Sequence, residues 1–352
     1  MKKVTLQMIA DRLNVSKALV SKALSNDPAV SEVTRELIWK TAHEMNYVFK
    51  KRHRESIDPK TKNIAVLMPR AYLNDMEYWG VVIRGIDREL EKNGFSMMLS
   101  SIDISLTPKD GLPSSIYERK IDGAIVLGQM PDSYIKALVS HSVPLVMVDA
   151  DYYSPAFDHV LANNFLGAYL ATEKLLQEGH LRLAFVGDAE TTWSFRERFR
   201  GFEEAIRYYN ASSERKAQFV HIRGIGVTGN GMYTSELLDQ LLGQYIAEGN
   251  EDRVTGLFCA NDLCAFESLK RLNRLGIRCP DDVSVIGFDN LTISEFINPK
   301  LTTVDVPKEV IGFKSVQMLL KRLQHPRHLP ELVLIPTKLV ERESVRRRVP
   351  RD

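Results

Sequence analysis

Cysteine is scarce in this sequence. Only three cysteines occur among 352 residues, and no His or Cys pair beside Cys259, Cys264 and Cys279 has the spacing of zinc ligands. An odd number of cysteines in a long chain without export signals indicates reduced thiols, buried as small apolar side chains. We therefore expect a cytoplasmic protein without a disulfide framework and without a metal.

Long apolar runs are also missing. The longest runs, such as residues 123–128 and 144–148, have the length of a strand, whereas a helix that crosses a bilayer needs roughly 20 apolar residues. The lysines at the N-terminus are followed by Gln7, Asp11 and Arg12, which leaves no apolar segment for a signal peptide. The sequence therefore predicts neither a membrane protein nor an exported one.

Catalytic and cofactor motifs are absent as well. The sequence has no P-loop, no Gly-x-Ser-x-Gly elbow and no His-Glu-x-x-His pair. Its single glycine-rich match joins Gly224, Gly226 and Gly229, but it lies in the middle of the chain. A dinucleotide site also needs an acidic residue at a strand end about 20 residues later, and Glu248 falls within a predicted helix. We interpret these residues as loop glycines and expect no enzyme and no cofactor.

Positive charge is concentrated at the N-terminus. The whole chain has a net charge of +2, whereas residues 1–62 contain 13 Lys/Arg and 7 Asp/Glu, a balance of +6. The remaining residues contain 34 Lys/Arg and 38 Asp/Glu. The affinity for a polyanion is therefore predicted to lie in the first sixth of the chain.

The same segment has the pattern of a helix-turn-helix. Thr5 and Ser16 are N-cap residues for two short amphipathic helices that meet across residues 13–15, and Ser31 can cap a third helix. Lysine can donate to guanine acceptors, alanine can pack on a thymine methyl, and serine can hold phosphates. The alternative is an ordinary helical hairpin on a protein surface. The second helix would read DNA through Ser16, Lys17, Ala18, Ser21 and Lys22.

Strand-like and helix-like segments alternate from residue 63 onward. Such alternation predicts parallel sheets with helices on both faces, and its length favours two α/β lobes with a ligand cleft between them. Residues 50–62 are basic, contain Pro59 and have few apolar side chains, which is typical of a linker. The predicted strands are 64–68, 95–101, 123–127, 145–149, 183–187, 218–222, 254–259 and 283–287, and the predicted helices are 78–92, 165–178, 195–209, 233–248, 262–275 and 308–323.

Short strings along the whole chain resemble the lactose/galactose repressor (LacI/GalR) family. They occur in family order in both the basic segment and the α/β segment, so the resemblance covers the full length. The strings are Val4-Thr5-Leu6, Ile9-Ala10, Val15-Ser16, Val20-Ser21-Lys22, Val30-Ser31, Thr34-Arg35, Asn46-Tyr47, Arg84-Gly85-Ile86, Asp122-Gly123-Ala124-Ile125, Gly179-His180, Arg198-Phe199-Arg200-Gly201-Phe202, Ala260-Asn261-Asp262, residues 280–289 and Leu301-Thr302-Thr303-Val304.

The resemblance implies an all-α helix-turn-helix head and an α/β core of the periplasmic-binding-protein-like type I fold, built from two Rossmann-like lobes. The head would span residues 1–49, the hinge 50–62 and the core 63–345. The first lobe would comprise about 63–162 and 292–323, and the second lobe about 163–291 and 324–345.

The resemblance also implies a homodimer that binds near-palindromic operator DNA, because two heads must meet two half-sites. It adds Thr5, Leu6, Ser31 and Tyr47 to the expected DNA contacts. The hinge departs from the family pattern, and Ile57 is its only aliphatic candidate for a wedge in the minor groove. The alternative is a plain charged tether that touches phosphates.

Polar residues that match family positions are candidates for a ligand site. Arg198, three residues before Gly201, is expected to reach into the cleft, although a basic helix face would look similar. Asp289 and Asn261 follow predicted strands and would point into the crevice at the carboxyl ends of the sheet. The alternative for Asp289 is a cap of the following helix or turn, and Asp262 is expected to be partly the N-cap of the next helix. Asp149 belongs to the same candidate set.

Three aromatic residues complete the expected ligand site. Tyr78 and Trp79 occupy the family's paired-aromatic position, where a ring can stack on the apolar face of a sugar or on a nucleobase. We expect Tyr78 to be the more exposed of the two, and core packing is the alternative for Trp79. Trp193 lies near Arg198 and is a further candidate for stacking.

These residues predict a transcriptional regulator, most simply a repressor, controlled by a small ligand between the lobes. Aromatic, Asp, Asn and Arg side chains favour a carbohydrate. A purine, or a phosphoprotein partner as in some family members, is the alternative. A sugar receptor without DNA function would lack residues 1–49, and a sugar-modifying enzyme would need a catalytic constellation that the sequence does not contain.

Overall fold

The computed structural model describes residues 4–24, 30–45, 47, 61–150, 156–228, 231–246 and 253–348. The chain divides into two compact units, Met1–Glu55 and Ser56–Asp352. The predicted boundary at residue 49 therefore falls a few residues before the end of the smaller unit. Only residues 61 and 62 of the predicted hinge are described, and Ile57 lies outside the described residues.

In its described residues, the smaller unit contains three helices around one apolar core. Helix α1 (Leu6–Leu13) and helix α2 (Lys17–Leu24) are separated by a turn at Asn14, which has a left-handed φ of 51°. Leu19 N donates to Ser16 Oγ at 3.1 Å, so Ser16 caps α2 as predicted. Helix α3 spans Glu32–Glu44. The core consists of Ile9, Ala10, Val20, Ala23, Val30, Ile38 and Ala42.

The larger unit alternates strands and helices as predicted. Its first part contains β1 (Asn63–Pro69), a 3-10 helix (Arg70–Asn74), α4 (Trp79–Lys92), β2 (Ser96–Ile102), α5 (Pro108–Gly111), α6 (Ser114–Tyr117), β3 (Gly123–Leu127), α7 (Asp132–Ser140), β4 (Leu145–Val148) and β5 (Asp158–Ala162).

The second part carries more helices that flank a second set of strands. It contains α8 (Asn164–Gln177), β6 (Arg182–Val186), α9 (Trp193–Ser212), β7 (Gln218–Ile222), β8 (Ile225–Thr228), β9 (Gly231–Thr234), α10 (Glu236–Ile246), β10 (Gly256–Cys259), α11 (Asp262–Arg274), β11 (Ser284–Asp289), α12 (Ile293–Phe296), β12 (Thr302–Asp305), α13 (Lys308–Gln324), β13 (Leu332–Ile335) and β14 (Lys338–Val340).

These strands form two six-stranded sheets, one for each lobe. The first sheet has the order β13-β5-β4-β3-β1-β2 and is parallel throughout. The second has the order β14-β12-β11-β10-β6-β7, in which only β14 is antiparallel. The central strands β3, β4, β10 and β11 are buried along their whole length, as expected of parallel strands covered on both faces.

The predicted lobe boundaries are wrong near the C-terminus. Strand β12 pairs with β11 in the second sheet, although residues 302–305 were assigned to the first lobe. Strand β13 pairs with β5 in the first sheet, although residues 332–335 were assigned to the second lobe. The chain thus crosses between the lobes three times, before α8, before α13 and before β14. Short strands in this tail extend both sheets, and the sequence pattern did not reveal which sheet each one joins.

The glycine-rich segment forms a hairpin rather than a loop. Strands β8 and β9 pair antiparallel, and the helix predicted to begin at residue 233 begins at Glu236. Gly224, just before the hairpin, has a φ of +94°, and a Cβ there would lie 2.9 Å from Leu238 N. Close backbone approach therefore accounts for this glycine without a nucleotide.

Buried cysteines and short or polar helices are two further features of the fold. Cys259 and Cys264 are buried, as predicted, and Cys279 is partly buried. Burial raises the pKa of the Cys264 thiol to about 12. Within the described part of the chain, every helix is too short or too polar to cross a membrane.

Candidate functional site

A cavity of about 160 Å³ lies at the carboxyl ends of the two sheets, between the lobes. Parallel strands present their following residues at one edge, which is where such folds bind ligands. All seven predicted ligand residues line this cavity: Tyr78, Trp79, Asp149, Trp193, Arg198, Asn261 and Asp289.

Arg198 projects from the second turn of α9 into the cavity wall and is only 2% exposed. Its Nη2 donates to Asp289 Oδ1 at 2.9 Å, and its Nε donates to Asn164 Oδ1 at 2.8 Å. Its Nη1 donates to the carbonyl oxygen of Ala260 at 2.6 Å. The guanidinium also lies 3.8 Å from the centre of the Phe288 ring. The arginine is therefore a buried part of the site and not part of an exposed basic helix face.

Asp289 ends strand β11 with a φ of 101°, a conformation that non-glycine residues rarely adopt. Asp149, which follows β4 in the other lobe, has a φ of 50°. Backbone strain of this kind is concentrated at functional positions. Lys308 Nζ donates to the carbonyl oxygen of Asp289 and thereby links α13 to the second lobe.

The helix cap of α11 differs from the prediction. Cys264 N donates to Asn261 Oδ1 at 2.8 Å, so Asn261 is the N-cap and also lines the cavity. Asp262 is fully buried, and its carboxylate accepts from Leu291 N at 2.7 Å and from Thr303 Oγ1 at 2.5 Å. Asp262 therefore caps the turn after β11, a role that the sequence analysis offered as the alternative for Asp289.

The paired aromatic residues are both buried, so the expectation that Tyr78 is the more exposed is wrong. Tyr78 is 5% exposed and Trp79 is 6% exposed. Trp79 stacks on Tyr72 with ring centres 5.2 Å apart, and it thus belongs to the core and the cavity at once. Tyr78 Oη donates to Asp149 Oδ2 at 3.4 Å. Trp193, at the start of α9, is partly exposed at the cavity.

Several lining residues were not predicted from the sequence, and Asp75 is the charged one among them. Asp75 follows the 3-10 helix after β1, and Tyr78 N donates to its Oδ1 at 3.2 Å. Burial, and next the negative charge of Asp289, raise the pKa of Asp75 to about 6. In the sequence, its position three residues before Tyr78 was the feature that could have indicated a place in the site. The other missed residues are Ala71, Tyr72, Asn74, Gln129, Thr192, Ser194, Phe195 and Leu263.

The two lobes are in direct contact. Thr292 N, in the second lobe, donates to Glu77 Oε2, in the first lobe, at 3.2 Å. Strand β9 of the hairpin lies against the 3-10 helix of the first lobe.

The head places most of its predicted DNA contacts at the surface. Ser16, Lys17, Ala18 and Lys22 are exposed, whereas Ser21 is partly buried. The remaining predicted contacts are Thr5 and Ser31, which are exposed, and Leu6 and Tyr47, which are partly buried.

Two known families match this chain. Residues 5–49 match the family described as bacterial regulatory proteins, lacI family, and residues 172–345 match the periplasmic binding protein-like domain. The HTH-type transcriptional repressor PurR of Aliivibrio fischeri (strain ATCC 700601 / ES114) is 26% identical over 347 residues, which cover 98% of this chain and 99% of that protein.

Solved structures agree with this assignment. A LacI family transcriptional regulator from Enterococcus faecium with bound ribose has a TM-score of 0.64 at 28% identity and covers 82% of this chain and 100% of its own. The transcriptional regulator CelR in complex with cellobiose has a TM-score of 0.65 at 23% identity and covers 97% of this chain and 100% of its own. The chain therefore belongs to the lactose/galactose repressor (LacI/GalR) family and is a DNA-binding transcriptional repressor with a ligand-binding core, not an enzyme.

Proposed function

We propose that the cavity between the lobes binds a carbohydrate that controls operator binding. The observation that carries this proposal is the convergence of aromatic faces with a buried, hydrogen-bonded Arg198–Asp289 pair in one cavity. Sugar hydroxyls both donate and accept, which suits a guanidinium beside a carboxylate and an amide. At about 160 Å³ the cavity is smaller than the roughly 300–1,000 Å³ of sites for drug-sized ligands, so the effector is a small sugar.

Ligand binding is coupled to DNA binding through lobe closure. A ligand that touches both walls binds the closed core better than an open one and shifts the population toward closure. Such coupling between two sites is typically about 1–3 kcal/mol. In a homodimer on a near-palindromic operator, closure changes how two heads are presented to two half-sites.

A purine is the second candidate effector. The full-length similarity to a repressor named PurR favours it, and a base can stack between aromatic rings while polar groups hold its edges. The same residues could contact either ligand. A binding measurement, and not the geometry of the cavity, therefore distinguishes a carbohydrate effector from a purine effector.

A thermal-shift screen of the full-length protein separates the two. We expect at least one monosaccharide or disaccharide to raise the melting temperature in a concentration-dependent way, because a ligand that binds only the folded state stabilises it by mass action. Purine bases and nucleosides form the second arm. A shift with purines and none with any sugar would contradict the carbohydrate proposal.

The head is proposed to read DNA through the exposed first turn of α2. Lys17→Gln removes a cation without changing the apolar core of the head, in which Lys17 has no part. If Lys17 contacts a base edge, the loss is about 1–3 kcal/mol, or roughly 5- to 150-fold in Kd. Fluorescence anisotropy measures this change in Kd, with DNA duplexes from upstream of the gene and at several salt concentrations.

The matched control is Lys136→Gln, an exposed lysine on α7 of the core. It makes the same change in net charge in the larger unit and is expected to leave Kd unchanged. An unaltered Kd and salt dependence in Lys17→Gln would remove Lys17 from the set of DNA contacts.

A further inference from the structure

The cavity is lined by more negative charge than positive. Its ionisable acidic residues are Asp75, Asp149 and Asp289, and its only cationic lining residue among the described ones is Arg198. The carboxylate of Asp289 already pairs with Arg198 at 2.9 Å. The two other carboxylates belong to the first lobe and also line the cavity.

The negative charge of Asp75 has little to compensate it. Its Oδ1 accepts one hydrogen bond, from Tyr78 N at 3.2 Å. Within the described ranges, its side chain makes no further hydrogen bond or ion pair. Burial and Asp289 raise its pKa to about 6, which means that the ionised form is costly in the empty site.

The charged groups around Asp75 do not offset its negative charge. Asp289 and Glu77 both add negative potential, and the Lys308 ammonium lowers the pKa of Asp75 less than either carboxylate raises it. The Lys308 ammonium donates to the backbone carbonyls of Asp289 and Val306. Its hydrogen bonds are therefore to the backbone, and the carboxylate of Asp75 can accept a hydrogen bond from the ligand.

We propose that Asp75 is a specificity-determining residue that selects effectors carrying a protonated amine, such as amino sugars, and rejects sugar phosphates and sugar acids. This inference rests on the proposed carbohydrate function. An ammonium beside Asp75 forms a charge-assisted hydrogen bond, which is stronger than a bond to a neutral hydroxyl. A phosphate or carboxylate in the same place would face Asp75 and Asp149 in a site that excludes much of the water, where like charges repel strongly.

The test compares sugars that differ in a single group. The probes are glucose, glucosamine, N-acetylglucosamine and glucose 6-phosphate, with the corresponding galactose and mannose series, and calorimetry on the full-length protein at pH 7 gives each Kd. We expect an amine to bind about tenfold or more tightly than its hydroxyl or N-acetyl counterpart. The phosphates should not bind. Asp75→Asn should abolish the preference for the amine.

The pH dependence of the preference for the amine distinguishes direct ligand recognition by Asp75 from a merely structural role of this residue. The amine stays protonated as the pH is lowered from 7 to 5, whereas Asp75 gains its proton around pH 6. The preference for the amine should therefore fall over this range in the wild-type protein and be flat in Asp75→Asn. Asp132→Asn, an exposed aspartate on α7, is the matched control and should retain both the preference and its pH dependence.

The possible results are distinguishable. Equal affinity for amine and hydroxyl sugars, tighter binding of a phosphate, or an unchanged preference in Asp75→Asn would overturn the inference and leave the carbohydrate proposal standing. Binding of purines alone, or of no probe, would overturn both. Asp75→Asn removes a costly buried charge, so it is expected to fold, and its melting temperature verifies this.

Discussion

Replacing Arg198 by alanine is expected to abolish ligand binding and to lower the free energy of unfolding by about 3–5 kcal/mol. The substitution leaves the Asp289 carboxylate, 6% exposed, without its cationic partner. It also removes the donors to Asn164 Oδ1 and to the carbonyl oxygen of Ala260. Breaking a buried ion pair is costly because the remaining charge stays desolvated.

Urea unfolding and the thermal-shift assay with the best ligand measure the two effects separately. Arg200→Ala is the matched control, because Arg200 lies two residues further along α9. Its side chain is 62% exposed and makes one ion pair, with Glu197 at 2.6 Å. Such surface pairs contribute about 0–1 kcal/mol, so both stability and ligand binding should be nearly unchanged. A full ligand-induced shift in Arg198→Ala would exclude Arg198 from the site.

Replacing Gly85 by alanine is expected to destabilise the core by about 3 kcal/mol or more, because a new backbone clash exceeds ordinary overpacking. A Cβ at this position would lie 2.2 Å from the carbonyl oxygen of Glu309. On the partner helix, a Cβ at Gly312 would lie 2.1 Å from the carbonyl oxygen of Val82. The two glycines therefore permit the close crossing of α4 and α13, and neither obstacle is a flexible side-chain end that could move away.

Gly243→Ala provides the contrasting control. Gly243 lies inside α10, and a Cβ there would meet no atom within 4 Å. Alanine is favoured over glycine in a helix interior by roughly 1 kcal/mol, so this variant should be slightly more stable in urea unfolding. If Gly85→Ala unfolded at the same urea concentration as wild type, this result would contradict a close crossing of α4 and α13 at Gly85.

Much of the site could be predicted from the sequence because it depends on local rules. Asn261 and Asp289 follow buried β-rich runs, and the end of a parallel strand fixes where the next residue points. Arg198 and Tyr78 matched positions of a known family. Alternation and periodicity indicate the strands and helices that carry these residues, whereas the roles of Arg198 and Tyr78 rest on the resemblance to the family.

The remaining features depend on tertiary packing that local patterns do not encode. Asn261 rather than Asp262 caps α11, because Thr303 and Leu291 N approach Asp262 from segments distant in the chain. Asp75 follows a 3-10 helix that no periodicity predicts. The sheet that β12 or β13 joins is decided by pairing with strands far away in the sequence, and a three- or four-residue strand carries too few side chains to specify it.

The three crossings between the lobes have a consequence for dissecting this protein. Because β13 and β14 are neighbours in sequence but complete opposite sheets, no single peptide-bond cleavage yields two self-sufficient halves. A gene fragment ending before residue 332 would strip one edge from each sheet together. Fragments for expression or split-reporter designs should therefore keep the C-terminal segment with both lobes, and an effector sensor is better built by insertion at a surface loop than by truncation.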